Sequence, residues 1–327
     1  MTKAQVWKLK TAFDGIPKPE NFELIEEDLP RLKDNQILVQ AVYLSVDPYF
    51  RIFVGSDGDL PGEQVAKIIK SNAPDYPVGS LVCVHAGWRS HTVVNVTKSR
   101  RLELIREVPG LSPSLWLGTA GMPGVTAYVS FFDKCAPKSG EVIVVTAASG
   151  AVGATVGQLA KNLGLTVIGI AGSKDKCEYI KSLGFDYAIN YKEDNISDAL
   201  DKAAPNGVDI YYDNVGGAIA DTVFGKLRSH GRVLICGLIS TYNNTTEETG
   251  RNWSKDILFK QLKIQGFIVS DPEHSSRFST ARNELISLLR QGKVKAKEHV
   301  TEGFTKMPAA FIELFTGANF GKAIVKA

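Results

Sequence analysis

The chain has 327 residues, 44% of them hydrophobic and 22% charged, with 38 Lys and Arg against 35 Asp and Glu. That length exceeds one ordinary hydrophobic core and predicts two domains. A net charge of +3, with basic residues interleaved among acids, argues against nucleic acid as a partner, and no apolar run approaches the roughly 18–20 residues that a membrane span requires.

The opening Met1-Thr2-Lys3-Ala4-Gln5-Val6-Trp7 has no apolar signal core. The four cysteines, Cys83, Cys135, Cys177 and Cys236, lie far apart and form no C-x-x-C pair. Both features predict a cytoplasmic protein with reduced thiols. Strands are expected over residues 37–44, 64–69, 81–85 and 92–96, with breaks such as Asp57-Gly58-Asp59-Leu60-Pro61-Gly62 between them. Short strands at this spacing predict a β barrel or sandwich in the N-terminal third.

From Glu141 strands and helices alternate. Val142-Ile143-Val144-Val145 is a continuous apolar run, as expected of a parallel strand buried on both faces. Val152, Val156, Leu159 and Leu163 then recur at helical spacing, and Gly164 is placed to end that helix. A strand over 166–170 follows, then a helix capped by Ser173 that stops at Gly184. Further strands are expected over 187–189, 208–212, 233–235 and 264–269, and helices near 195–204, 218–227, 254–261 and 276–291. This alternation predicts an α/β fold with a doubly wound parallel sheet. After Gly292 come a short polar segment, a helix over 307–315 and a strand over 321–325 that could return to the first domain. The expected division is 1–118, 119–292 and 293–327.

The strand at 142–145 leads into Thr146-Ala147-Ala148-Ser149-Gly150-Ala151-Val152-Gly153. Small residues there let a backbone approach a pyrophosphate, and the helix start offers free N–H groups and a partial positive charge. In the G-x-G-x-x-G pattern Ala148 replaces the first glycine, followed by Gly150 and Gly153. The strand–turn–helix–strand context favours a dinucleotide site over a structural turn. At the tip of the next strand, Ile170-Ala171-Gly172-Ser173-Lys174-Asp175-Lys176 has lysines where an NAD enzyme carries an acid. That predicts NADPH, whose 2′-phosphate seeks cationic donors. A solvated helix start is the other way to read Lys174 and Lys176.

Catalytic zinc in a dehydrogenase needs Cys and His ligands. Cys83 and His85 are the one Cys/His pair close in sequence, and the turn Pro61-Gly62-Glu63-Gln64 has no histidine, so no metal site is expected. No G-x-S-x-G elbow is present either.

The chain resembles the medium-chain dehydrogenase/reductase superfamily. Within it, the likeness is to the zinc-free leukotriene B4 dehydrogenase/prostaglandin reductase branch, which includes plant alkenal double-bond reductases. The resemblance rests on Val46-Asp47-Pro48-Tyr49-Phe50-Arg51, Gly121-Met122-Pro123-Gly124-Val125-Thr126-Ala127-Tyr128, the 148–153 loop, Ala171-Gly172-Ser173 with Lys176, Asp213-Asn214-Val215-Gly216-Gly217, Cys236-Gly237-Leu238-Ile239-Ser240-Thr241-Tyr242 and residues 319–326. It implies a GroES-like, β-rich catalytic domain built from both ends of the chain and an inserted Rossmann domain. It also implies NADPH as cofactor, a homodimer, and small-molecule alkenal or 15-oxo-prostaglandin substrates.

Carried onto this sequence, Gly150, Ala151, Val152 and Gly153 would lie under the pyrophosphate. Ser173, Lys176 and Tyr191 would surround the 2′-phosphate. Asn214, Cys236, Gly237, Leu238, Ile239, Ser240, Thr241, Tyr242, Phe267, Ile268, Val269 and Asn319 would line the rest of the cofactor. Tyr49 and Tyr242 would face the substrate as the catalytic candidates. Two segments depart from the family pattern. The polar, proline-free loop over 243–253 stands where mammalian relatives have a proline-rich one, and Ser270-Asp271-Pro272-Glu273-His274 also differs.

Reduction of a conjugated carbon–carbon double bond builds negative charge on the carbonyl oxygen, so a preplaced neutral donor is needed. Tyr242 is the first candidate, because a phenol with a pKa of about 10 stays protonated at neutral pH. A packing tyrosine at a strand exit is the alternative. Three other activities stay open: quinone reduction within the same superfamily, reverse oxidation of hydroxy-eicosanoids, and NADPH binding without turnover.

Overall fold

A computed structural model describes residues 3–99, 101–246 and 249–327. Met1 and Thr2 of the opening segment, and Glu247 and Glu248 of the 243–253 loop, lie outside the described residues. The first strands are β1 Lys3–Leu9, β2 Phe22–Asp28, β3 Gln36–Ser45, β4 Glu63–Ser71, β5 Leu81–His85, β6 His91–Asn95 and β7 Leu102–Leu104. Next come α1 Met122–Val129, β8 Val142–Thr146, α2 Ala151–Asn162, β9 Thr166–Ala171, α3 Lys174–Ser182, β10 Tyr187–Asn190, α4 Ile196–Ala203 and β11 Val208–Asp213. The chain continues with α5 Gly217–Lys226, β12 Leu227–Ile235, α6 Ser254–Lys260, β13 Lys263–Gly266 and α7 Phe278–Arg290. It ends with β14 Glu298–Glu302, α8 Met307–Thr316 and β15 Lys322–Lys326.

Two compact units result: Met1–Gly118 together with Glu298–Ala327, and Thr119–Lys297. The second boundary falls five residues later than the expected 292/293. The cause is a clasp between side chain and backbone. The Gln158 amide donates to the Lys295 carbonyl at 3.0 Å, and the Lys295 N–H donates back to Gln158 Oε1 at 2.8 Å. Asn162 also donates to the Lys293 carbonyl, so α2 holds this segment in the second unit.

The unit Thr119–Lys297 is a six-stranded, wholly parallel sheet in the order β10-β9-β8-β11-β12-β13. Successive residues of β8 feed opposite layers. Ile143 and Val145 pack with Val156 and Leu159 of α2 and Leu285 of α7, while Val144 packs with Leu200 of α4 and Phe224 of α5. Burial on both faces explains the unbroken apolar run in sequence. The order reverses between β8 and β11, and ligands of such sheets bind beyond the carboxyl ends of the strands at that switch. The strand expected over 264–269 stops at Gly266, because β13 is the edge of the sheet and pairs only through residues 263–266 with β12.

The other unit contains the β1–β2 hairpin and a seven-stranded sheet of order β14-β15-β3-β4-β5-β7, with β6 also pairing with β3. Its core is aromatic. Phe22 stacks on Trp88 at 5.7 Å, and Phe311 meets Phe50, Trp88 and Phe22 at 5.7–6.3 Å. The C-terminal strand does join the first segment, with β15 antiparallel to β3 and Ile324 opposite Ser45. The stretch read as a short polar segment contains β14, parallel to β15. Its polar sequence, Glu-His-Val-Thr-Glu, marks the edge position where one side of the strand stays solvated. The β1–β2 hairpin and α1 were not expected from the sequence.

Candidate functional site

The carboxyl ends of the parallel strands collect most of the predicted residues. At the tip of β8 the chain turns through Ala147, whose φ of 47° is left-handed and costs a non-glycine residue roughly 1–2 kcal/mol. The strain aims the Ala147 carbonyl at the start of α2. A Cβ on Gly153 would lie 2.5 Å from that oxygen, so only glycine fits there. Gly150 is the N-cap residue and supplies no side-chain cap. The first N–H groups of α2, at Ala151, Val152 and Gly153, are thus uncapped by a side chain, which is the arrangement an anion needs at a helix start.

At the tip of β9, Ser173 Oγ accepts the Lys176 N–H at 3.3 Å and caps α3. The two lysines of this turn separate clearly. The Lys174 side chain is 82% exposed and 4.0 Å from Glu178, whereas Lys176 is half-buried. Burial, and then the positive charge of Lys192, push the Lys176 ammonium below its usual pKa. The Tyr191 ring follows β10 and lies against Gly172, where an added Cβ would come within 2.7 Å of it. Lys192 Nζ sits 6.0 Å from the centre of that ring. Two mutually repelling cations beside a hydroxyl and a phenol suit a dianionic phosphate, which would relieve the repulsion. The donors and the glycine-bounded turn therefore fit a phosphorylated dinucleotide. Lys192 was missed in the sequence reading; its position beside Tyr191 was the available signal.

The β11 tip is organised by a buried acid that sequence reasoning left without a role. Asp213 Oδ1 accepts from the Thr146 hydroxyl at 3.0 Å and from the N–H groups of Val215 and Gly216 at 2.9 and 3.0 Å. Asn214 is fixed in turn, its side-chain amide donating to the Thr146 carbonyl at 2.8 Å. The segment after β12 folds over this loop: the Ser240 hydroxyl donates to the Val215 carbonyl at 2.6 Å, and the Ile239 N–H reaches the Asn214 carbonyl at 3.4 Å. Cys236, Gly237 and Thr241 are part-exposed along it, and Leu238 is exposed. After β13, Phe267 is buried and stacks on His274 at 4.7 Å, Val269 is buried, and Ile268 is exposed.

Tyr242 closes the same segment. Its Oη accepts the Leu238 N–H at 3.2 Å, which leaves the phenolic proton available to another acceptor. Burial raises the Tyr242 pKa, with that hydrogen bond opposing and the nearby Cys236 adding to it. The phenol is therefore neutral at physiological pH. The 243–253 loop is anchored at its far end, where Trp253 stacks on Phe224 at 4.0 Å and donates to Asp221 Oδ1 at 2.7 Å.

Tyr49 and Asn319 belong to the other unit. Tyr49 lies in the short 3-10 turn Pro48–Arg51, its ring 4.7 Å from Phe50 and 6.1 Å from Phe53. Burial, reinforced by the carboxylates of Asp47 and Glu63, drives its pKa well above the normal tyrosine range. Asn319 is part-exposed and donates to the Gly321 carbonyl at 3.3 Å. Burial, and then the Arg101 charge, push the His85 pKa below the ordinary imidazole value. Among the described residues no group of three or more His, Cys, Asp or Glu side chains is placed to hold a metal.

Comparison with known proteins finds relatives over the whole chain. Residues 5–102 match the family described as the N-terminal domain of oxidoreductase, and residues 151–287 the family described as zinc-binding dehydrogenase. The chain is 45% identical to bovine (Bos taurus) prostaglandin reductase 1, with all of both chains covered. It is 38% identical to the NADP(+)-dependent 2-alkenal reductase of tobacco (Nicotiana tabacum), covering 97% of this chain and 95% of that one. The crystal structure of CurA from Vibrio vulnificus in complex with NADPH matches with a TM-score of 0.92 and 37% identity over 99% of each chain.

Proposed function

Because the chain belongs to the medium-chain dehydrogenase/reductase family, in the branch of the prostaglandin and 2-alkenal reductases, we propose that it is an NADPH-dependent reductase of the carbon–carbon double bond of α,β-unsaturated aldehydes and ketones. The observation that carries the proposal is similarity over nearly the whole chain to an enzyme named 2-alkenal reductase and to another named prostaglandin reductase. When bound, the reduced nicotinamide supplies the hydride that adds to the β-carbon of the conjugated carbonyl.

The chain's own residues do the rest. The uncapped start of α2, at Gly150, Ala151, Val152 and Gly153, holds the pyrophosphate. Lys176, Ser173 and Tyr191, with Lys192 beside them, hold the 2′-phosphate. Asn214, the segment from Cys236 through Tyr242, Phe267 through Val269, and Asn319 line the remainder. Tyr242 donates a hydrogen bond from its phenol to the carbonyl oxygen while negative charge develops there, and a proton from water then completes the saturated product at the α-carbon. The Leu238 N–H that binds Tyr242 Oη supports this role, because it fixes the ring and occupies a lone pair, not the proton. Tyr49 serves as a second neutral phenol on the substrate side. Prostanoid enones fall within the same chemistry; oxidation of a hydroxy-eicosanoid to its ketone, with the carbinol hydride passing to the oxidised cofactor and the hydroxyl proton to solvent, would be a second activity of the same site, and both connect the protein to lipid metabolism.

The same reading makes the protein a cytoplasmic homodimer. Four free cysteines support a reducing compartment. For the dimer, the support is the edge strand β13 beside α6, whose Leu258 and Phe259 are 69% and 76% exposed. A Phe259→Glu variant is expected to run as a monomer in light scattering.

The decisive experiment follows NADPH oxidation with a short alkenal, an enone and a quinone, with identification of each product. Saturated aldehyde and ketone products are expected, with slow or no quinone turnover. Allylic alcohol as product, or preference for the quinone, overturns the proposal.

A further inference from the structure

The turn that carries Tyr49 is approached from the C-terminal strand by a buried charge. The antiparallel register that sets Ile324 opposite Ser45, continued by the Val46 N–H donating to the Ala323 carbonyl, leads Lys322 toward Asp47 just past the end of β3. Lys322 Nζ donates to Asp47 Oδ1 at 2.8 Å and to the Val46 carbonyl at 2.7 Å. The Ser45 hydroxyl donates to the other carboxylate oxygen, Asp47 Oδ2, so both oxygens are engaged. The Lys322 and Asp47 side chains are only 4% and 9% exposed. Glu298, the β14 partner of Lys322 in the sheet register, is a second acid facing this ammonium, and it is held separately by the Ser114 hydroxyl at 2.7 Å.

Desolvating two charges costs enough that apolar residues of similar size often serve stability as well or better. Stability alone therefore gives a weak account of the pair. Its position gives a stronger one. Asp47 is the N-cap residue of Pro48–Arg51, and the far end of that turn is pinned by Arg51, whose guanidinium lies 4.7 Å from the Phe13 ring centre and donates to the Phe13 and Gly15 carbonyls. Between the two pins, Phe50 is fully buried in the aromatic core and Tyr49 takes the adjacent position.

We infer that the Lys322–Asp47 ion pair is a positioning device for Tyr49, setting the direction in which the Pro48–Arg51 turn presents that phenol to the substrate. The inference rests on the reading of Tyr49 as a substrate-facing residue. It assigns a role in the reaction to two residues that do not touch the reacting atoms.

The test compares wild type, Asp47→Asn/Lys322→Met, Tyr49→Phe and the triple variant. The charge-free pair avoids leaving one buried charge alone, and its melting temperature and NADPH Kd are controls expected to match wild type. Its kcat/KM for an alkenal is expected to fall at least about tenfold, since small misplacements of reacting or orienting groups carry losses of this size. In the Tyr49→Phe background the same double change is expected to add little, because the two routes share one target. Equal losses in both backgrounds, or no loss in either, overturn the inference. A Lys322→Arg variant, which keeps a cation beside Asp47, is expected to retain part of the activity that the charge-free pair loses. A readout independent of turnover uses fluorotyrosine-labelled protein, in which the Tyr49 resonance is identified by its loss in Tyr49→Phe. That resonance is expected to shift and broaden in the charge-free pair, and an unchanged resonance overturns the inference. Wild-type protein that reduces no alkenal at all refutes the proposed function instead, while the resonance still judges the pair.

Discussion

The two units hold their functional residues in opposite ways. In Thr119–Lys297 the site residues gather beyond the strand ends, and many constraints on them are short in sequence: an oxygen 2.5 Å from a missing Cβ, a capping serine three residues from its N–H, an aspartate bonded to the amides two and three residues on. In the other unit the turn bearing Tyr49 is fixed by Lys322, 275 residues away from Asp47 in sequence, and by Arg51 reaching back to residues 13–15. A parallel sheet puts its loops at one edge by topology, so local sequence sets much of their shape and neighbouring loops complete it. A β-rich unit closed by both chain ends depends on pairs that meet only after folding.

That contrast predicts where each site breaks. The largest effect is expected from Tyr242→Phe, which removes a charge-stabilising donor and lowers kcat on the order of a hundredfold. NADPH affinity, measured by fluorescence titration, stays near wild type. Gly153→Val comes next. Its side chain meets the Ala147 oxygen, and overpacking of about 1–3 kcal/mol translates into an affinity loss of up to roughly a hundredfold. Calorimetry with NADPH measures it, and retained affinity would mean that the helix start is not the anion site. Lys176→Glu should cost roughly ten- to a hundredfold in NADPH affinity, the worth of a charge-assisted hydrogen bond, with little change for NADH. Equal effects on both cofactors would move the 2′-phosphate elsewhere.

The smallest expected effect is an absence of change with pH. Tyr242 and Tyr49 both have pKa values raised by burial, so each keeps its proton until the pH passes above the ordinary tyrosine value of about 10. His85 is shifted down, so it is already neutral above its ordinary value of about 6.5. With NADPH saturating, kcat is therefore expected to be flat between about pH 7 and 9. A fall across that window would show that one phenol ionises early and would remove the case for a neutral donor.

Legibility in the sequence followed the same division. The strands and helices from 142 to 235 stand within a residue or two of their expected places, apart from the long N-terminal extension of β12, because buried parallel strands and amphipathic helices carry strong local patterns. The strand over 264–269 was drawn too long, since an apolar run continues past the point where the edge strand runs out of partner. The hairpin of β1 and β2 and the polar strand β14 escaped notice. Their residues are half-solvated and alternate weakly, and only pairing makes them strands. Lys176 could be named from the sequence, but its separation from the solvated Lys174 depended on the way α3 packs.

By itself the amino-acid sequence determined the alternating α/β segment, the glycine-bounded turn at 150–153 and the cationic tip of the second strand, all of which arise from contacts between near neighbours. Only the tertiary structure decided that Lys322 meets Asp47, that Lys192 joins Lys176, and that Tyr242 takes the Leu238 N–H and keeps its own proton free. The first two need strand pairing, which brings distant residues within the few ångströms where charges act. The third needs a loop folded back on itself, a geometry that no periodicity encodes.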